Sequence, residues 1–309
     1  MRIGLFLILP QPPGTTQQHV FEAALDDALT AERLGFDSVW VTEHHGSGYG
    51  LSAAPSVVAA AIAARTTRVA IGYAVNVTPL HLPVRLAEEI ATVDQISGGR
   101  VIAGFGPGYS PVEFQTMGAD FATRHRAHHH AVGAVVDQWR TGGGVRPRQT
   151  PHPAIAVTAA GAEAASWAAR HGYDLLTLGD EAHTARLRHA YRRTAAPDSG
   201  GRRAGRICLL RSICAVQPDT AGAPREVRDS IRWTLAHRNR MVEQPPPTEA
   251  QVDDYLRQRA LIGPPTALRR DLQRLAAAGV DELLCWCRWG MLGDRTVRAT
   301  MQALAAGPA

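Results

Sequence analysis

The chain has 309 residues, of which 45% are hydrophobic and 20% charged, a composition that excludes a disordered chain and predicts a large folded core. The formal net charge at pH 7 is +5, and all 33 residues counted as lysine plus arginine are arginine, which excludes a Schiff base on a lysine side chain. Many of these arginines lie between residues 186 and 206, where we predict a solvated helix face and loop and no nucleic-acid partner.

Short apolar runs typical of β-strands alternate with longer helical patterns along the chain. Glycine ends several of the helical patterns, first at Gly35 and later at Ser97-Gly98-Gly99. The eight predicted strands are residues 3–9, 37–42, 69–75, 101–105, 154–158, 174–178, 207–216 and 282–287. The predicted helices are residues 19–34, 55–65, 83–96, 162–170, 181–194, 225–240 and 265–278.

This alternation predicts parallel strands, either in an open doubly wound sheet or in a closed barrel. Eight units favour the (β/α)8 TIM barrel, and the rigid Gln11-Pro12-Pro13 stands where an open dinucleotide-binding sheet would need a glycine-rich turn. We therefore predict one α/β TIM-barrel domain over residues 1–309. Two insertions, residues 108–122 and 238–262, are candidate lids or dimer contacts.

The sequence also carries predictions about location and cysteine chemistry. No apolar run reaches the length of a membrane span, and residues 1–9 are too short for a secretory signal, so we predict a cytoplasmic protein with no membrane partner. The spacing of the four cysteines does not suit zinc, and we predict buried, reduced thiols. They are Cys208, Cys214, Cys285 and Cys287.

Glu43-His44-His45 follows the second predicted strand, at the barrel end where reactive groups gather. A histidine pair beside a carboxylate could bind a metal, but neighbouring residues of an extended chain point to opposite sides, which disfavours one shared ion. The alternatives are a structural pair of histidines and a single imidazole that donates a hydrogen bond or carries a proton.

The turn at residues 158–163 ends the fifth predicted strand and opens a helix with small residues, so its backbone N–H groups are open to an anion. This turn is a candidate phosphate site, for which Arg124 or Arg126 could supply a neutralising side chain. His128-His129-His130 lies on a helical pattern, and we predict that it forms a solvated helix face.

Several motifs, spread over most of the chain, resemble those of the bacterial luciferase-like flavin-dependent monooxygenases. Gln11-Pro12-Pro13 and Glu43-His44-His45 occur in the order and spacing found in the luciferase α-subunit. The most specific stretch is residues 79–89, followed by residues 93–100. Further similar segments are residues 34–40, 262–265 and 278–284.

This resemblance implies a TIM barrel that takes reduced FMN from a separate flavin reductase and reacts it with O2. The resulting flavin hydroperoxide then oxygenates a small organic molecule or biosynthetic intermediate. The resemblance also implies a homodimer. It assigns His44 to the reactive edge of the ring, as the catalytic residue, and a non-proline cis peptide beneath the ring to Ala74-Val75.

The resemblance places the FMN site on a group of mostly small residues at the strand ends. They are Ala74, Val75, Gly106, Tyr109, Arg124, Ala160, Gly161, Ala162 and Glu163. Two departures weaken the match: Gly106 replaces a reactive cysteine of the luciferase α-subunit, and Pro107 replaces its phosphate-contacting arginine. Arg124, together with backbone N–H groups at residues 161–163, is the expected substitute.

Trp286, Arg288 and Trp289 are expected either to line the substrate pocket or to pack the barrel end, and the proline run before Thr248 is a candidate lid. Two other functions compete with the monooxygenase. One is hydride transfer with a deazaflavin cofactor, and the other is a non-catalytic flavin-binding partner subunit. The presence of His44 argues against the second, whereas Gly106 and Pro107 mildly favour it.

Overall fold

The computed structural model describes residues 1–141, 145–195, 205–217 and 223–305. In these residues eight parallel strands form a closed ring, because β10 pairs with both β8 and β1. The strands are β1 (Arg2–Leu7), β2 (Ser38–Val41), β3 (Ala70–Tyr73), β4 (Asn76–Val77), β5 (Val101–Gly106), β6 (Ala154–Thr158), β7 (Asp174–Thr177), β8 (Ile207–Ala215), β9 (Ala260–Gly263) and β10 (Glu282–Trp286). The short β4 and β9 stand outside the ring, pairing with β5 and β8. The predicted TIM barrel is confirmed.

Helices surround the ring, and several begin at a capping side chain. The hydroxyl of Thr16 accepts a hydrogen bond from His19 N, and Thr248 forms a capping box with Gln251. The helices are α1 (Gln17–Arg33), α2 (Pro55–Ala63), α3 (Pro83–Ser97), α4 (Pro111–Thr116), α5 (Arg124–Thr141), α6 (Ala162–His171), α7 (Glu181–Thr194), α8 (Arg225–Met241), α9 (Glu249–Arg259), α10 (Pro265–Ala277) and α11 (Asp294–Ala305).

The structure departs from the predicted elements at the third strand, in both insertions, and at α11, which was not predicted. The third predicted strand, residues 69–75, is interrupted after Tyr73 by the cis peptide Ala74-Val75, and the chain then pairs with β5 as β4. Both predicted insertions contain helices: residues 108–122 include α4, and residues 238–262 include α9 and β9. These additions lie at the carboxyl end of the barrel, where they form the wall of a site.

A buried polar cluster fills the opposite, amino end of the barrel. Arg206 donates to Asp174 at 2.6 Å and to Glu282 at 2.5 Å, while Glu282 also accepts from Ser38 Oγ at 2.5 Å and from Trp40 Nε1 at 3.1 Å. The prediction that the arginines of residues 186–206 form a solvated face is therefore wrong for Arg206, because the starts of β7 and β10 supply its two counter-charges. Residues 202 and 203 lie outside the described chain.

Close packing inside the barrel depends on glycine opposite the largest side chain. Trp40 on β2 pairs in register with Gly72 on β3, and a Cβ at residue 72 would lie 2.2 Å from the indole. Tryptophan can occupy the interior because its neighbour has no side chain. The four cysteines are buried and form no disulfide, as predicted from their spacing.

Candidate active site

His44 lies directly beyond the carboxyl end of β2, buried at 7% exposure. Its Nδ1 donates to Glu113 Oε1 at 3.0 Å, and the same carboxylate oxygen accepts His45 N at 2.9 Å. Glu113 is itself fixed on α4, where Ser110 Oγ accepts Glu113 N at 3.1 Å. A carboxylate on Nδ1 holds one tautomer and leaves Nε2 available to a ligand in the barrel mouth.

The second carboxylate of the motif, Glu43, turns in the other direction. It accepts Val77 N at 2.7 Å and the Nε2 atoms of His45 and His81, each at 2.8 Å. Burial raises the pKa of Glu43, but the hydrogen bonds from His45 and His81 outweigh burial and hold this pKa below its usual range. The pKa of His81 is lowered by burial and raised more strongly by Glu43, with a net upward shift.

The two histidines of the motif therefore serve different carboxylates. His44 bonds to Glu113 and His45 bonds to Glu43, so their rings diverge. Within the described ranges, no three histidine, cysteine, aspartate or glutamate side chains are placed to share a metal ion. The arrangement supports a proton-carrying imidazole more than a metal centre.

The floor of the mouth is made of small and apolar groups. The Ala74-Val75 peptide is cis, which confirms the prediction made from the resemblance. Gly106, at the end of β5, faces Val75, and a Cβ at residue 106 would lie 2.6 Å from Val75 Cγ2. The lack of a side chain at residue 106 therefore lets β5 pack closely against the cis peptide, and the floor that results is made of small and apolar groups.

The candidate phosphate site is the start of α6. Gly161 is the N-cap residue in an extended conformation, and no side chain caps this end of the helix within the described structure. The backbone N–H groups of Ala162 and Glu163 are therefore available to an anion, which the helix dipole favours. Ala160 precedes them in the turn. The arrangement suits a phosphate, and its occupancy stays a prediction.

Arg124 begins α5. Its guanidinium lies 3.9 Å from the centre of the Phe121 ring and donates to Phe121 O at 3.0 Å, while its Nε is buried without a partner. Arg126 is exposed on the same helix. Whether either contacts a phosphate stays a prediction.

The prediction of a solvated face for His128-His129-His130 is wrong at its first residue. His128 is 3% exposed, and its Nδ1 lies 2.8 Å from Thr78 Oγ1. Burial lowers the pKa of His128 to about 3, with smaller contributions from the nearby His129 and His125. His129 stacks on Trp167 with ring centres 4.5 Å apart. The periodicity of buried positions along α5 could have identified His128 as a core residue.

Of the three residues offered for the substrate pocket, two pack the barrel end instead. Arg288 donates to Asp27 and to Asp294, both at 2.6 Å, because the chain after β10 turns outward to α1 and α11. Trp289 is 1% exposed and donates to Ile213 O. Trp286 remains at the mouth, where its ring meets Tyr49 edge-on at 6.4 Å.

Most of the aromatic residues around His44 were not predicted from the sequence. Tyr49 is buried with its ring centre 5.0 Å from that of His44, and Tyr109, which was assigned to the FMN site, lies 6.1 Å away. Tyr255 on α9 reaches across the mouth, and its hydroxyl lies 2.7 Å from Ser212 Oγ on β8. These tyrosines belong to no motif, and only their place in loops and in an insertion could have suggested them.

The family model for luciferase-like monooxygenases matches residues 1–282. The chain belongs to this family. A similar protein is y4wF, described as uncharacterised, from Sinorhizobium fredii, which is 27% identical over 94% of this chain and 92% of its own length. The alkanal monooxygenase alpha chain of Photorhabdus luminescens is 29% identical, but the match covers only 57% of this chain and 53% of the relative.

Solved structures of the luciferase-like monooxygenase fold superpose over nearly the whole chain. Monooxygenase RslO1 from Streptomyces bottropensis gives a TM-score of 0.87 at 24% identity, covering 99% of this chain and 98% of that one. The oxygenating constituent of 3,6-diketocamphane monooxygenase from Pseudomonas putida, solved with FMN, gives 0.75 at 17% identity, covering 99% and 96%. At these identities the structures establish the fold. No helix in the described ranges is long and apolar enough to span a membrane.

Proposed function

We propose that this luciferase-like monooxygenase is the oxygenase component of a two-component system, which uses reduced FMN and O2 to oxygenate a small organic substrate. The observation that carries the proposal is the buried His44–Glu113 pair at the carboxyl end of the barrel, where Glu113 binds Nδ1 of the imidazole and leaves Nε2 for a ligand. Family membership supports flavin-dependent oxygenation, and the FMN-bound diketocamphane enzyme supports FMN as the flavin.

The described residues fit FMN at both of its ends. The isoalloxazine ring would lie on the small and apolar Ala74, Val75 and Gly106, and Tyr109, whose ring lies 6.1 Å from that of His44, would close one side. The phosphate would lie at the uncapped start of α6, against Ala160, Gly161, Ala162 and Glu163, with Arg124 as the candidate cation. When bound, reduced FMN supplies the two electrons that activate oxygen.

His44 would hold or move a proton at Nε2. Glu113 accepts from Nδ1, so it orients the imidazole and stabilises its positive charge when a proton is taken up. Tyr49 and Trp286 keep this region apolar, with exposures of 6% and 4%, and such walls exclude bulk water from the reacting atoms.

A separate reductase follows from the role proposed for the flavin. FMN that arrives reduced and leaves oxidised must be able to dissociate after each turnover. Because residue 107 is proline and not arginine, it offers no charge to the phosphate, which favours weak binding. The diketocamphane protein carries the description of an oxygenating constituent, which is consistent with division of labour between two chains.

A homodimer is part of the same proposal. Large apolar side chains are exposed on and beside the adjacent helices α1, α2 and α3, where a second copy could cover them. These residues are Phe21, Val57, Leu82, Val84 and Ile96. Light scattering during gel filtration should give twice the monomer mass, and Val57→Glu should shift the protein to the monomer.

The test of the catalytic assignment is rapid mixing of O2 with anaerobic protein that holds reduced FMN. We expect a transient absorbance distinct from both reduced and oxidised FMN. His44→Ala should lower the yield of oxygenated product by a factor of about 10². The exposed His129→Ala serves as the matched control and should leave both readouts unchanged.

Two outcomes would refute the proposal. If no transient forms, and the protein instead transfers hydride to or from a deazaflavin, the chain is a deazaflavin-dependent oxidoreductase. If His44→Ala leaves product yield unchanged, His44 is not catalytic.

A further inference from the structure

Two arginines at the mouth of the barrel lack a counter-ion. Arg238 on α8 and Arg259 at the end of α9 are both partly buried, and no carboxylate in the described chain lies within ion-pair distance of either. Other arginines of the same helices are neutralised: Arg228 pairs with Glu249 and Asp253, and Arg232 pairs with Glu249. Arg240 on α8 also has no ion pair but is exposed to solvent, so Arg238 and Arg259 are the arginines of these two helices that are both partly buried and unpaired in the described chain.

The ring of Tyr109 lies between Arg238 and the candidate catalytic residue His44. Arg238 Cζ lies 5.9 Å from the centre of the Tyr109 ring, and that ring lies 6.1 Å from the ring of His44. Arg259 follows Tyr255 by four residues on α9, so both side chains project from the same face of the helix. The Tyr255 hydroxyl is anchored to Ser212 Oγ at 2.7 Å.

The electrostatic surroundings are positive and partly shielded from water. Burial lowers the pKa of Arg259, and the nearby charge of Arg238 lowers it further. Arg211 adds a third guanidinium, which donates to Leu210 O and Gly179 O and whose pKa burial lowers to about 10. The charge of Asp180 opposes these downward shifts in the pKa of Arg259 and Arg211. Asp180 Oδ1 already accepts a hydrogen bond from His183 N at 2.7 Å, which caps α7.

Unpaired, desolvated like charges are costly in a folded protein and are generally found where an anion binds. We propose that Arg238 and Arg259 bind a carboxylate of the organic substrate and hold the substrate between Tyr255 and the flavin site. This inference rests on the proposed function, and it names the class of substrate that the same site accepts: an acidic organic molecule.

The alternative source of negative charge is FMN itself. The candidate phosphate site is the start of α6, which follows β6, whereas Arg238 and Arg259 belong to the segment that follows β8. In a TIM barrel these two segments project from different sectors of the mouth. A charge pair on α8 and α9 is therefore placed for a second molecule.

The test compares two probes of nearly equal shape, 2-naphthoate and 2-naphthamide, by calorimetric titration of the FMN-loaded protein. We expect the wild-type protein to bind the acid at least about tenfold more tightly than the amide, because a charged contact distinguishes them. Arg238→Met and Arg259→Met should each reduce that preference about tenfold, and Arg259→Lys should retain part of it.

Arg240→Met is the matched control. Residue 240 is exposed, lies on α8 two residues from Arg238 and has the same charge. Its replacement should leave the preference for the acid unchanged. Equal affinity of the wild-type protein for the two probes, or an equal loss in Arg240→Met, would overturn the proposal.

Thermal unfolding of the ligand-free protein provides a second readout. Arg259→Met should unfold at a temperature equal to or higher than that of the wild-type protein, since it removes an unpaired charge beside a like charge. Addition of 2-naphthoate should raise the unfolding temperature of the wild-type protein and not that of the variant. Unfolding of Arg259→Met at a clearly lower temperature would assign the arginine a structural role and refute its role in binding.

FMN affinity separates the remaining possibilities. If the double variant Arg238→Met/Arg259→Met loses as much affinity for FMN as for 2-naphthoate, relative to the wild-type protein, the arginines serve the cofactor and the proposal fails. Because these titrations do not require turnover, the preference for the acid can persist even if the protein does not oxygenate. In that case the proposed function alone is wrong.

Discussion

The two ends of the barrel differ in whether their buried or partly buried arginines have a counter-charge. At the amino end Arg206 lies between Asp174 and Glu282, and these neighbours raise its pKa above the usual range although burial opposes the shift. At the carboxyl end Arg238 and Arg259 have each other as neighbours and no carboxylate partner in the described chain. Removing an arginine that is paired within the fold destabilises the protein, because it leaves a buried carboxylate unpaired. An arginine without a counter-ion is available to bind a ligand.

The largest effect should follow from breaking the cluster at the amino end. Arg206→Met removes the cation from the buried Asp174, leaves the buried Glu282 with the more distant Arg2 Nε at 3.5 Å, and should lower the free energy of unfolding by about 3–5 kcal/mol. Urea denaturation measures the loss. Arg298→Met is the control, because its pair with Asp26 is at the surface and should contribute less than about 1 kcal/mol. Equal losses in the two variants would remove the distinction between the ends.

The next effect concerns activity at the carboxyl end. Glu113→Gln keeps an acceptor for His45 N but no longer presents a carboxylate to His44, so oxygenation should fall by about tenfold to a hundredfold. The loss should appear in kcat more than in the KM for reduced FMN, and Glu113→Asp should recover part of it. A purely structural residue would instead lower thermal stability and leave the kcat of the folded fraction unchanged.

The smallest effect is a pH dependence from His128, which is buried behind the mouth with a pKa of about 3. The unfolded chain takes up a proton on this residue near pH 6.5, but the folded protein does not. The contribution of His128 to stability is thus complete above pH 6.5 and declines as the pH falls towards 3. At pH 5 the wild-type protein should have lost about 2 kcal/mol more, relative to pH 7, than His128→Gln.

Urea denaturation at the two pH values measures the His128 effect. His130→Gln is the control, since residue 130 is exposed on the same helix and should decline with pH like the wild-type protein. If His128→Gln shows the same decline, the buried imidazole is not neutral. The carboxyl end would then resemble the amino end in burying a charge.

Much of the fold could be predicted from the sequence, because the alternation of strand and helix patterns is local. The eight strands of the ring were identified, and the departures occur where the chain turns at Ala74-Val75, forms additional elements in the insertions, or ends in the helix α11. The cis peptide was predicted from the family resemblance and not from the pattern of residues. Local periodicity is sufficient to predict the order of strands and helices, but it does not predict whether a single peptide bond is cis.

The charge partners could not be predicted in the same way. Arg206 and Glu282 are 76 residues apart, and Arg288 and Asp27 are 261 residues apart, so no local pattern distinguishes a paired arginine from an unpaired one. Arg238 resembles its paired neighbours in α8 at the level of sequence. His44 was identified because it belongs to a motif, whereas the role of Glu113 became apparent only when α4 was placed against β2.

The segment that joins β8 to β9 carries both unpaired arginines and Tyr255 on one uninterrupted stretch of chain. His44, Gly106 and the start of α6 all come from the first 162 residues, and a hydrogen bond from Ser110 Oγ to Met241 O at 2.8 Å connects the two parts. The proposed flavin site and the proposed substrate site are thus formed by different segments of the chain. Chimeras that exchange the segment between β8 and β9 among relatives should change substrate selectivity and leave the proposed flavin site unchanged.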